Sequence, residues 1–206
     1  LGLALRPSLP KVRVTAPAST EGISKNLGEG LRHQFVNVRN TVSQRAAVSL
    51  NEDFRSGLDD WQTRSVVSTG WSFDGNGFVK PGTLALYRPS LGLGDYDMEF
   101  LGLNDKKALS WVVRAKDFDN YYVVKLVVTK PGPLPTIGIT RYAVIDGKAQ
   151  PSLDTVAAIN ARPDMPYRVS MDVHDDTFLL SLQGTVADNW PEPRLKTGGV
   201  GLLVSP

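Results

Sequence analysis

Asp95, Asp97 and Glu99 stand at every second position of the stretch GDYDMEFLG. In an extended strand that spacing puts the three carboxyl groups on one face and Tyr96, Met98 and Phe100 on the other. Two carboxyl groups about 5 to 5.5 Å apart are what double displacement at a sugar's anomeric carbon requires, one attacking and one moving the proton. The same alternation is also how a half-buried strand shows water a polar face, its acids charge-paired to neighbours such as Arg88 or Arg114. The expectation taken forward is the solvated face. Asp95, Asp97 and Glu99 are the catalytic set only if the chain is an enzyme.

Other groups offer less chemistry. The two histidines, His33 and His174, cannot supply a three-histidine metal site, and the chain has no cysteine for a thiolate, a disulfide or a nucleophile. A Ser-His-Asp triad would need His174 with a serine that no motif marks. Asp117, Asp119 and Asn120, or Asp172, Asp175 and Asp176, bring oxygen ligands together for calcium, but no defined ligand order accompanies them and Asp and Asn are ordinary turn residues. Calcium at the first cluster is thus the one cofactor to look for. Of the tryptophans, Trp190 in DNWPEP reads as part of a proline-bounded loop. Its ring would either pack against the core or stack on a sugar. The GLGLGD run near residue 92 lacks the lysine and following helix of a phosphate loop.

The charge is uneven along the chain. Residues 1 to 50 carry seven Lys or Arg against two Asp or Glu, and residues 51 to 206 carry sixteen against nineteen. A basic segment on a mildly acidic remainder points to an anionic partner such as a lipid surface. Nucleic acid is not expected, because aromatic residues do not interleave with the basic ones. Leu1 to Leu5 followed by Arg6 and Pro7 resembles the exit of a membrane helix or export signal, too short by itself to span a bilayer.

The elements that must hold these groups divide the chain into three. Residues 1–19 form an extended, proline-rich arm. From Ser19 or Thr20 to residue 48, Ile23, Leu27, Leu31, Phe35, Val38 and Val42 recur at helical spacing, with Lys25, Arg32 and Arg39 as a basic stripe every seven residues. Gly22, Gly28 and Gly30 each weaken that helix by about 1 kcal/mol, so it needs something to pack on. Leu31, Phe35, Val38 and Val42 are the expected docking face for another subunit, and the basic stripe for an anionic membrane. From residue 49 onward the period becomes two. GTLALYRPS, DYDMEFLGL, ALSWVVRA, NYYVVKLVVT, TIGITRYAVID, PYRVSMDV, TFLLSLQG and GGVGLLVS are strand-like runs separated by turn residues. Strands without intervening helices predict an all-β, antiparallel sandwich or jelly roll. The Asp117–Asn120 segment and the Asp146-Gly147 pair are expected turns.

NEDFRSGLDDWQ, WSFDGNGFVKPG, WVVRAKDFDNYYVVKL, RYAVIDGK and GGVGLL, in that order, resemble the laminin-G-like, concanavalin A-like modules of bacterial exported proteins, including domains similar to the three-keto-disaccharide hydrolase family. The resemblance spans residues 51–206. It implies a concanavalin A-like jelly roll in which Trp61, Trp71, Trp111 and Tyr122 pack the core and Arg114 and Asp117 fix a turn. In the retaining glucanases of this fold a Glu-x-Asp-x-Glu strand is catalytic. By that likeness Asp95 would be nucleophile, Asp97 helper and Glu99 acid/base, with Asp95 one methylene short of the pattern.

The reading that follows is a non-catalytic binding or assembly module, an accessory subunit of a bacterial membrane complex on the periplasmic or extracellular side. The charge beside the apolar terminus argues for the cytoplasm, and the resembled family outweighs it. A carbohydrate-binding module using Trp190 is the alternative, and a β-glucan hydrolase the second alternative.

Overall fold

The computed structural model describes residues 3–6, 50–55, 57–64, 70–73, 79–104, 108–130, 136–157 and 166–204. The helix expected over 20–48, with Leu31, Phe35, Val38, Val42, Lys25, Arg32 and Arg39, lies outside the described residues. Among those described, the strands in chain order are β1 (Leu3–Arg6), β2 (Trp61–Thr63), β3 (Ser72–Phe73), β4 (Val79–Lys80), β5 (Ala85–Tyr87), β6 (Tyr96–Asn104), β7 (Ala108–Ala115), β8 (Tyr121–Lys130), β9 (Thr136–Ile145), β10 (Lys148–Ala149), β11 (Leu153–Ala157), β12 (Tyr167–His174), β13 (Thr177–Leu182), β14 (Thr185–Pro191) and β15 (Gly199–Leu203). All their pairings are antiparallel.

Two sheets result. One has the order β14-β13-β12-β6-β1-β4-β3, the other β10-β9-β8-β7-β15-β5-β2 with β11 also on β9. The stretch read as an arm thus contributes β1, which lies between β6 and β4. Alternation decides what each strand buries: Tyr96, Met98 and Phe100 of β6 meet Trp111 and Val113 of β7 and Tyr122, Val124 and Leu126 of β8 in one core. Trp111 is fully buried, its ring edge-on to Phe100 at 5.3 Å and its indole N–H directed at the Met171 sulfur 3.0 Å away. Trp61 stacks with Phe54 and tilts against Trp71 and Tyr87 at the rim of the same core. Both were expected to pack, and both do.

The turns follow their residues. Asp146 (φ 49°) and Gly147 (φ 73°) take the left-handed conformations a two-residue hairpin needs between Ile145 and Lys148. The Asp117 carboxylate accepts hydrogen bonds from the Asp119 N–H at 2.8 Å and the Asn120 amide at 3.0 Å, closing the turn from β7 to β8. One expectation fails: DNWP is not a loop but the end of β14, where Trp190 stands opposite Phe178. Pro191 misleads because it reads as a break, yet β14 is an edge strand, and an edge tolerates a residue without an N–H.

Candidate functional site

Asp97 and Glu99 point away from the core, and the register of β6 with β12 sets Asp97 opposite Asp172 and Glu99 opposite Ser170. Each acid has its own partner. The Asp97 carboxylate lies 2.9 Å from His174 Nε2, and that of Glu99 lies 3.9 Å from Arg168. Burial raises the Asp172 carboxyl and the Asp97 charge adds to the effect, with His174 opposing it.

Asp95 belongs to a different structure. Arg114 sits in β7 with φ 49°, where the pairing with β15 shifts register, and its side chain is fully buried. The guanidinium donates to the carbonyls of Gly94, Lys196 and Asp175, the last at 2.9 Å, and to the Asp95 carboxylate at 3.1 Å. The Asp175 N–H also donates to Asp95, at 2.8 Å. Burial pushes the Asp95 carboxyl upward, but these two donors outweigh it and hold the group below its ordinary value. Arg114 therefore ties together three loops that the sequence separates widely. The close packing there requires Gly198, whose φ is 138° and where a Cβ would come within 2.5 Å of the Arg114 backbone. Of the two arginines expected to pair with the acids, Arg114 does so, while Arg88 meets Asp60 at 3.6 Å instead.

The other expected ligands are likewise engaged. Asp117 and Asn120 close their turn, and Asp119 pairs with Arg64 at 2.6 Å. Among the described residues no three acidic or imidazole side chains converge as a metal site would require.

Where the two sheets meet at the β14 end, an aromatic column crosses the molecule. The ring of Tyr122 stands edge-on to Phe178 at 5.4 Å, and Phe178 stacks on Trp190 at 5.5 Å with an interplanar angle of 12°. Above Trp190, at 4.7 Å, lies the Arg141 guanidinium, fixed by a 2.9 Å contact from its Nε to Asp188. Trp190 is 6% exposed, so it packs and offers no open stacking face. It does line the wall of a pocket with about 340 Å³ of empty volume, its mouth included, shared with Tyr122, Arg141, Leu153, Glu192 and Arg194.

The mouth is polar. Glu192 and Arg194 form a fork, with Arg194 Nε 2.7 Å from Oε1 and Nη2 on Oε2. Burial acts to raise the Glu192 carboxyl, and the Arg194 fork overcomes it and lowers the group. The Tyr122 hydroxyl accepts a hydrogen bond from the Leu195 N–H at 2.6 Å, and burial with the nearby Glu192 charge pushes it up to about 12. Leu153, 59% exposed, supplies an apolar lip. A guanidinium keeps three N–H donors outside such a fork, and a carboxylate keeps spare lone pairs, so the mouth can hold vicinal hydroxyl groups while Leu153 meets C–H surface. Sequence reasoning singled out Trp190 and missed Arg141, Glu192 and Arg194. The Glu-Pro-Arg spacing beside Trp190 was the available signal, since proline fixes the two charged residues around it.

No protein-family model matches the chain, and no curated protein matches it at a significant level. Solved structures do. The carbohydrate-binding module CBM66 from Bacillus subtilis superposes with a TM-score of 0.51 at 18% identity, over 71% of this chain and 88% of that one. The fold is a concanavalin A-like jelly-roll β-sandwich. A β-glucanase from Bacillus licheniformis aligns at 12% identity and a TM-score of 0.49, over 73% of this chain and 80% of the other. The Crh5 transglycosylase in complex with NAG gives 13% identity and a TM-score of 0.49, over 73% of this chain and 65% of its own. The concanavalin A-like fold expected from the sequence is thus established, and a fold by itself does not fix a function.

Proposed function

We propose that this chain is a non-catalytic carbohydrate-binding module that takes its ligand at the β14 pocket. The observation that carries this reading is the convergence of the Glu192–Arg194 fork with the exposed apolar side chain of Leu153 at an open mouth. Sugars present alternating C–H patches and hydroxyl pairs, and a site of this composition complements both. The likeness to CBM66, named a carbohydrate-binding module, supports the class of ligand. On the acidic face, Asp95 is held by Arg114, Asp97 by His174 and Glu99 by Arg168, which speaks for solubilising and structural use of all three. The assembly role at a membrane depends on the basic segment 20–48, outside the described residues. Among the described residues no helix is long and apolar enough to cross a membrane.

Affinity electrophoresis through gels carrying neutral and acidic polysaccharides tests the reading. At least one polysaccharide should retard the wild-type chain, and Arg194→Ala should weaken retention about tenfold or more, the loss of roughly 1.4 kcal/mol expected for charged hydrogen bonds. Equal retention by Arg194→Ala would move the site elsewhere. Hydrolysis of a β-glucan that vanishes in Glu99→Gln would replace the binding module with an enzyme.

A further inference from the structure

The second sheet has apolar residues on both faces. Facing the first sheet are Trp111, Val113, Tyr122, Val124 and Ile139. Between them in sequence, and therefore on the opposite face, are Leu86 of β5, Val112 of β7, Val123 of β8, Val144 of β9 and Leu203 of β15, which form a separate cluster with Ala115. A sheet face left to water would expose such side chains. Leu86 and Val112 are instead 0% exposed and Val123 is 1% exposed. Leu84, Leu91, Phe118, Tyr121 and Tyr142 stand half-buried around this cluster, as a rim does, and the other described strands all belong to the two sheets.

We infer that residues 20–48 of this chain dock across the outer face of the second sheet and form a third layer. Length favours this segment over the others outside the described residues. The stretches 65–69, 74–78, 105–107, 131–135 and 158–165 span three to eight residues, while 7–49 is long enough for a helix of several turns. Dimensions agree as well. The cluster crosses five neighbouring strands, β9-β8-β7-β15-β5, or roughly 19 Å at about 4.8 Å per spacing. The apolar face from Leu31 to Val42 spans roughly 17 Å at about 1.5 Å per residue of helix. The connection is local: the segment rejoins the described chain at Leu50, eleven residues before β2, which pairs with β5 at the edge of this sheet. Burial against the sheet supplies the support that Gly22, Gly28 and Gly30 make necessary, and the basic stripe Lys25, Arg32 and Arg39 stays on the flank in water.

The absence of native cysteine makes the test direct. In the full-length chain, Phe35→Cys is paired with Leu84→Cys or with Tyr142→Cys, and oxidised at low concentration. A disulfide within one chain is expected from at least one of the two pairs, and none from Phe35→Cys with Val186→Cys on the first sheet. Crosslinks only between chains would give the face to a second copy and overturn the inference. Hydrogen exchange on the unmodified chain supplies a readout independent of substitution. Amides between 27 and 42 should exchange at least about 100-fold more slowly than in an unstructured chain, without added lipid. Protection that arises only with anionic vesicles would assign the segment to a membrane instead. The inference does not depend on sugar binding at the β14 pocket, and either can fail alone.

Discussion

Arg114 and Arg194 each face a carboxylate, and their surroundings give them opposite uses. Arg114 is fully buried and spends both its Nη groups on three loop carbonyls and Asp95, and its one uncommitted donor, Nε, is buried out of a ligand's reach. The Arg194 side chain is 45% exposed, engages one carboxylate in a fork and keeps donors at a pocket mouth. The first region is cohesive, and the second is equipped to bind. An ion pair alone says neither. Burial, and the count of donors already committed, decides between them.

The contrast is sharpest in what each arginine's loss should do. Arg114→Ala strands the Asp95 charge and three carbonyls, and should lower stability by about 3–5 kcal/mol in urea unfolding. Whatever remains folded should still be retained by polysaccharide. Arg194→Ala should lower stability by about 1 kcal/mol, less than Arg114→Ala, because the pair is half-exposed on the arginine side and 16% exposed on the Glu192 side, while weakening retention. If Arg194→Ala proved as destabilising as Arg114→Ala, the two regions would be alike and the pocket merely another brace.

Acid sharpens the comparison further. Asp95 has a folded value held below 3.8, so its stabilisation is present above that pH and is lost as pH falls through the lower folded value. Asp95→Asn should therefore flatten the acid limb of a stability profile below about pH 4. The smallest effect belongs to Asp172, whose carboxyl is raised by burial and by Asp97. A raised carboxyl opposes folding while it is charged, and that cost is relieved as pH falls. Asp172→Asn should raise the unfolding midpoint slightly at about pH 7 and leave it unchanged at about pH 3. A fall at pH 7 would mean that Asp172 is held by attraction and that the acidic face is more than a solvated surface.

Alternation and turn chemistry alone determined much of this protein. Period-two patterning past residue 49 located β5 to β9, β12, β13 and β15, because half-buried strands must alternate. Asp146-Gly147 and Asp117 announced their turns, because few other residues close them. The packing of Trp61, Trp71 and Trp111 was legible from the family resemblance and not from alternation. What only the tertiary structure decided were contacts between residues far apart in the chain. Asp95 meets Asp175 eighty positions on, and Arg141 finds Asp188 and Trp190 across two sheets. A local pattern records which face a side chain takes, whereas the partner it meets there depends on strand order and register, and these emerge only when the sheets close over a shared core.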